Sequence, residues 1–204
     1  SMGGAITTRY LQSGRPSVAQ VQAAVLSSPM LEIRDLLPGM SAEWFSCGPL
    51  AHSAVALDAA TSWHLGGGPY KAAKPDDNIF SSSLVRSQRM VDQIEAVPTI
   101  KLGSPTWGWL ARSCDAAQAA RQEAAKVQTP LLLMVAGDDS IVLNRGAAVF
   151  CQRLASSRPG AGCGGPDGGP VVIAGAKHEL LIERDALRDL AMGQALAFLA
   201  QQGR

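Results

Sequence analysis

Ser1 heads the stretch "SMGGAITTRYLQSG", immediately before Met2, Gly3 and Gly4. A serine followed by small residues and then a helix fits a strand-turn-helix elbow of G-x-S-x-G type, with Gly3 in the last position. A sharp turn of that kind exposes the serine oxygen, and the helix N-terminus favours developing negative charge. Two other origins of Ser1 stand beside this one: a Ser-Met pair left by tag cleavage, and a fragment boundary. An activated serine needs a base, and the base needs an orienting carboxylate. "GAKHELL" offers His178 just past one apolar run; "VAGDDSIV" offers Asp138 and Asp139 past another, with His178 lying 39 residues beyond Asp139. Taken singly, an Asp pair in a turn is ordinary capping chemistry and a loop histidine is unremarkable. Their coincidence past two strand ends is less so, because ligands of open parallel sheets gather at the carboxyl ends of strands. His178 would take the serine proton, Asp139 would fix the imidazole tautomer, and the Met2 N–H would supply half of an oxyanion hole.

The elements that must position these residues follow from hydrophobic period and breakers. Gly3 to Leu11 reads as a helix stopped at Gly14, and "VAQVQAAVLSS" as a buried strand over Val18 to Leu26. From Pro29 to about Pro105, Pro, Gly and aromatics mix with weak periodicity, the texture of an insertion or lid of short helices and loops. A helix follows, closed before Pro130; Leu131 to Val135 is a continuous apolar strand, and the next helix sets Val149, Phe150 and Leu154 on one face. "SSRPGAGCGGPDGGP" is a flexible loop and "VVIAG" a short strand. The last helix carries Leu187, Leu190, Ala191, Ala195, Phe198 and Leu199 at i, i+3, i+4, i+8, i+11 and i+12. The expected organisation is 1–28 for the elbow helix and first strand, 29–105 for the lid, and 106–204 for an α/β core with parallel strands and flanking helices.

These stretches carry a resemblance. "SMGGAITTRYL" resembles α/β-hydrolases from their nucleophile onward, and "TPLLLMVAGDDSIV" resembles their acid strand, with an Asp three residues before a Val, which selects Asp139 over Asp138. "VVIAGAKHELLIERDALRDLAMGQALAFL" is similar to their histidine turn and terminal helix, while "LGSPTWGWL" and "NRGAAVFC" resemble the bacterial lysophospholipase and monoacylglycerol lipase branch. The resemblance implies a serine esterase acting through an acyl-enzyme on a lysophospholipid or monoacylglycerol, with Ser1, Asp139 and His178 as its triad and no cofactor. It also implies that the chain corresponds to the C-terminal part of the fold, starting at the elbow. On that expectation the N-terminal half of the fold and its second oxyanion donor lie outside these residues, the first strand shows an unpaired edge, and the piece is inactive or weakly active. The alternatives are a thioesterase or acyltransferase of the same fold, and a non-catalytic fragment or binding module.

Bulk properties narrow the partners. The 204 residues are 47% hydrophobic and 17% charged with a formal charge of +1, and their basic residues are scattered, which argues against nucleic acid. A small acyl ester or lipid is the expected partner. No apolar run reaches the roughly 18 residues of a membrane span, so the expectation is a cytoplasmic protein, with peripheral contact at the inner membrane face as the furthest extension. Cys47, Cys114, Cys151 and Cys163 lack metal or CxxC spacing and fit reduced thiols; His52 and His64 near Cys47 match no metal site. Trp63, Trp107 and Trp109, with Trp44 and Phe45, are candidates to line an acyl pocket, or else ordinary packing. "HLGGGPY" lacks the sequel of a phosphate loop; Glu179 and Glu183, close to His178, either tune its pKa or cap and face water, and the second reading is favoured.

Overall fold

A computed structural model describes residues 1–35, 40–72 and 74–203. Among the described residues three parallel strands, β1 (Ala24–Ser27), β2 (Leu131–Ala136) and β3 (Val171–Ile173), lie in the order β1-β2-β3. The register pairs Ala24 with Leu131 and Ser27 with Met134, then Met134 with Val171 and Ala136 with Ile173. All six residues of β2 are buried, as a central parallel strand covered on both faces requires.

The twofold alternation of β2 divides the core. Leu131, Leu133 and Val135 pack beneath helices α1 (Met2–Leu11), α4 (Trp107–Gln122) and α5 (Asn144–Ala155), reaching Leu11, Ala120, Phe150 and Leu154. Leu132, Met134 and Ala136 face the opposite way, onto Ile173, Leu180 and the Ala191 turn of α6 (Asp185–Gln202). The α6 stripe is only partly covered: Ala191 is buried, Leu187, Ala195 and Phe198 are half-buried, and Leu190 and Leu199 are exposed.

The first strand is shorter than the sequence suggests. Pro16 starts a 3-10 turn over Pro16–Gln20, so the extended run begins only at Ala24. Between β1 and α4, α2 (Ser53–Ala56) follows a wide turn over Ser46–His52, and α3 (Leu84–Ala96) begins at Ser83, whose hydroxyl accepts from Arg86 N–H. Thr106 caps α4 in the same way, accepting from Trp109 N–H. No helix among the described residues is long and apolar enough to cross a membrane.

The cysteines correct an expectation. Cys47 is bonded to Cys114 and Cys151 to Cys163, so none of the four is a reduced thiol. The folded chain lays the Cys47 turn on α4, and the glycine-rich loop against α5, contacts that linear spacing does not reveal.

The start of α1 is held by a close approach. A Cβ on Gly4 would lie 2.7 Å from Pro29 Cβ and 2.9 Å from Pro29 Cα, whereas one on Gly3 would meet nothing within 4 Å. Gly4→Ala is therefore expected to destabilise by about 1–3 kcal/mol, and Gly3→Ala to be neutral or stabilising by up to about 1 kcal/mol through helix propensity. Paired urea titrations check this, and equal midpoints would contradict it.

Candidate active site

The carboxyl ends of the three strands converge on one rim. Past β1, the Ser1 backbone nitrogen donates to the Ser27 carbonyl (3.2 Å), and the Ser1 carbonyl accepts from Met30 N–H (3.0 Å) and Gly4 N–H (3.0 Å). Ser1 is thus the N-cap of α1, with its backbone pinned over the strand end. The Met2 N–H belongs to the first helical turn, whose donors have no intrahelical acceptor.

Past β2, the chain turns through Gly137 and Asp138 to Asp139. Asp138 is exposed, while Asp139 is 6% exposed and closes an Asx-type turn, its Oδ1 accepting from Ile141 N–H (2.8 Å) and Val142 N–H (3.0 Å). Its Oδ2 accepts from Nδ1 of His178 at 2.7 Å, past β3. Burial pushes the Asp139 carboxyl up, but the His178 hydrogen bond and the Val142 and Ile141 N–H groups together hold it below the usual carboxylate range. With Nδ1 donating, the neutral His178 ring carries its lone pair on Nε2. Nε2 is buried and has no hydrogen-bond partner, and the residue is 1% exposed under Phe80, whose ring stands edge-on at 6.4 Å. The ring nitrogen is left as an acceptor with no donor among the described residues, so it can take a proton from a group brought within reach.

The structure joins Asp139 to His178 by a hydrogen bond, and brings Ser1 and Met2 to a cavity of about 400 Å³ beside them. No hydrogen bond joins Ser1 to His178. Such contacts commonly close only once substrate is bound.

That cavity is largely apolar. Trp107 and Trp109 line it with Phe45, Leu50, Leu65 and Ile141. Trp63 does not; its ring packs where a Cβ on Gly103 would sit, and its backbone bridges to Thr106. Trp44 is 78% exposed and also lies outside the cavity wall. His52 is engaged with the Cys47 carbonyl and Asp115, and the described residues hold no cluster able to bind a metal.

The sequence reading misjudged Glu183 and missed Arg34. Glu183 is not a solvated cap: it is 0% exposed and accepts from the N–H groups of Lys177 (2.8 Å), Arg184 (2.9 Å) and Ser82 (3.1 Å) and from the Ser82 hydroxyl. It ties the histidine turn to the segment ahead of α3. Arg34 pairs along the acid turn, its N–H donating to the Ile141 carbonyl (3.1 Å) and its Nη2 to the Asp139 carbonyl (2.8 Å). Neither has a linear motif; the one available signal for Arg34 was its place soon after a strand end.

Comparison with known proteins agrees with this architecture. The family described as Hydrolase_4, serine aminopeptidase, S33, matches residues 1–185. Lysophospholipase L2 of Escherichia coli K12 is 33% identical over 203 residues, covering 97% of this chain and 55% of that protein. Probable lysophospholipase L2 of Haemophilus influenzae is 27% identical over 208 residues, covering 99% and 58%. The chain thus spans little more than half the length of these relatives. Among solved structures, a soluble variant of monoglyceride lipase from Saccharomyces cerevisiae superposes with a TM-score of 0.67 at 15% identity, over 99% of this chain and 63% of that one. The monoacylglycerol lipase of Paleococcus ferrophilus gives 0.66 at 18% identity, over 98% and 66%. With its parallel sheet, flanking helices and 185 matched residues, the chain belongs to the serine aminopeptidase S33 family of α/β-hydrolases.

Proposed function

We propose that this chain carries the nucleophile, base and acid of a serine hydrolase that cleaves the carboxylic ester of a lysophospholipid or monoacylglycerol. The observation that carries the reading is the buried Asp139–His178 hydrogen bond with Nε2 left free as an acceptor, beside a cavity that Ser1 lines. Ser1 Oγ attacks the ester carbonyl as His178 Nε2 takes its proton; the oxyanion is met by Met2 N–H, and His178 returns the proton to the leaving alcohol. Water then attacks the acyl-Ser1 ester by the same proton path, releasing the fatty acid. The apolar cavity suits an acyl chain, and residues 29–105 act as its lid, contributing Phe45, Leu50 and Leu65 to the wall. The names of the relatives and fold neighbours support the lipid class. Met2 N–H is one oxyanion donor, and the loss of such a donor is worth about 10²–10³ in turnover.

A fluorophosphonate probe tests the nucleophile without needing fast turnover. Peptide mass spectrometry is expected to place the adduct on Ser1, with none in Ser1→Ala. A folded chain that stays unlabelled contradicts the reading.

A further inference from the structure

Within the apolar cavity wall stands one arginine with unmet hydrogen-bonding capacity. Arg34 is half-buried there, close to Ser1 and Ser140. Its guanidinium has five N–H donors, and among the described residues the Nη2 bond to the Asp139 carbonyl is the one made. Nε is buried with no partner, and among the described residues Arg34 has no ion pair. The cavity wall around this cation is otherwise largely apolar, with Trp107, Leu110 and Ile141, and its buried Nε is left without a partner among the described residues. Its carbonyl contact fixes the plane of the fork, so the remaining donors are pre-organised for a planar or tetrahedral anion.

We infer that Arg34 is a specificity-determining residue that receives the phosphodiester of a lysophospholipid head group, so that the site prefers an anionic phosphate-bearing lipid over a neutral monoacylglycerol. The inference deepens the ester-hydrolase reading and rests on the same cavity. The cavity holds Ser1 and Arg34 in one wall system, so a lipid whose acyl chain fills the apolar part sets its ester near Ser1 and its head group against the guanidinium. A glycerol hydroxyl would leave that charge unpaired; a phosphodiester neutralises it with charge-assisted hydrogen bonds.

Binding, rather than turnover, tests this. Dodecylphosphocholine and 1-O-dodecylglycerol share a chain, lack a carboxylic ester and differ in the head group, a phosphocholine against a glycerol; each is titrated below its micelle concentration with tryptophan fluorescence or calorimetry as readout. The wild-type chain is expected to bind the phosphocholine ligand roughly tenfold or more tightly than the glycerol ether, the scale of one charge-assisted contact. Arg34→Gln should abolish the preference while leaving the glycerol ether within about twofold, and Arg34→Lys should retain part of it. Inorganic phosphate, lacking the chain, should not compete at the same concentrations. Equal binding of the two lipids by wild type, a preference that survives in Arg34→Gln, an equal loss of both ligands, or competition by free phosphate each overturns the assignment. Fluorophosphonate labelling of Ser1 is read separately, so failure of the catalytic proposal and failure of this one are distinct results.

Discussion

Asp139→Asn is expected to lower the rate of fluorophosphonate labelling of Ser1 by about 10⁴-fold, close to the effect of losing the base itself. The hydrogen-bond pattern dictates why so small a change acts so strongly. The Ile141 and Val142 N–H groups both donate to one carboxylate oxygen, so an asparagine keeps its carbonyl on that side and presents its NH₂ to His178. Nδ1 must then accept, which moves the ring proton to Nε2, and a protonated Nε2 cannot take the serine proton. The Asx turn survives, so thermal melting should change little. His178→Ala removes the acceptor altogether, with a loss of at least about 10²–10⁴-fold. Stopped labelling reactions quantified by intact mass check both variants. If Asp139→Asn labels at the wild-type rate, the Asp139–His178 pair is structural and Ser1 owes its reactivity to something else. Because the Asp139 carboxyl sits below its usual range, it remains ionised throughout the neutral and mildly acidic range in which such assays run.

The same turns explain how much of the site was legible from sequence. That Asp139 and His178 lie together could be anticipated because each follows soon after an apolar run, and a strand end fixes a side chain's neighbourhood before any contact is known. The sheet was legible for a related reason: β2 is apolar throughout, and only a strand covered on both faces tolerates that. The first strand was overextended because Val18, Val21 and Ala24 look continuous in sequence, whereas Pro16 had already committed Pro16–Gln20 to a tight turn. The disulfides were invisible, since Cys47 meets Cys114 only through the docking of the segment before α2 onto α4. Trp63, Trp107 and Trp109 illustrate the limit of residue type: all three are large aromatics near one another in sequence, yet two line the cavity and the third packs on Gly103. Glu183 was misjudged because an acid soon after a histidine looks solvated unless one knows that several backbone donors point at it.

Glu183→Ala is expected to be the most destabilising substitution in the histidine turn, by about 3–5 kcal/mol, because it strips acceptors from buried donors at about 1–3 kcal/mol each. For a chain of this length that corresponds to a fall of roughly 6–20 °C in melting temperature. The same two segments are also joined by single hydrogen bonds, Ser81 hydroxyl to the Ile182 carbonyl, Glu179 N–H to the Phe80 carbonyl and Lys177 Nζ to the Asn78 carbonyl, each worth about 0.5–1.5 kcal/mol. The Arg86–Asp185 ion pair joins them too, but Asp185 is 75% exposed, and such a pair contributes at most about 1 kcal/mol. The buried carboxylate therefore dominates. Glu183→Gln keeps the shape but turns an NH₂ toward N–H donors, so it recovers only part of the loss. The pH dependence separates charge from packing. Burial pushes the Glu183 carboxyl up, yet the Ser82 hydroxyl and the Lys177, Arg184 and Ser82 N–H groups bring it below its ordinary value. A carboxylate depressed in the folded state contributes its stability above the unfolded pKa, near 4.3 for glutamate, and loses it as pH falls through the lower folded value. The gap in melting temperature between wild type and Glu183→Gln should accordingly be full at pH 7 and shrink toward pH 3. A gap that stays constant would assign the effect to packing. Because Lys177 immediately precedes His178, the loosened turn should also slow Ser1 labelling in Glu183→Gln at temperatures where the fold is intact, a loss that a purely global destabilisation would not produce.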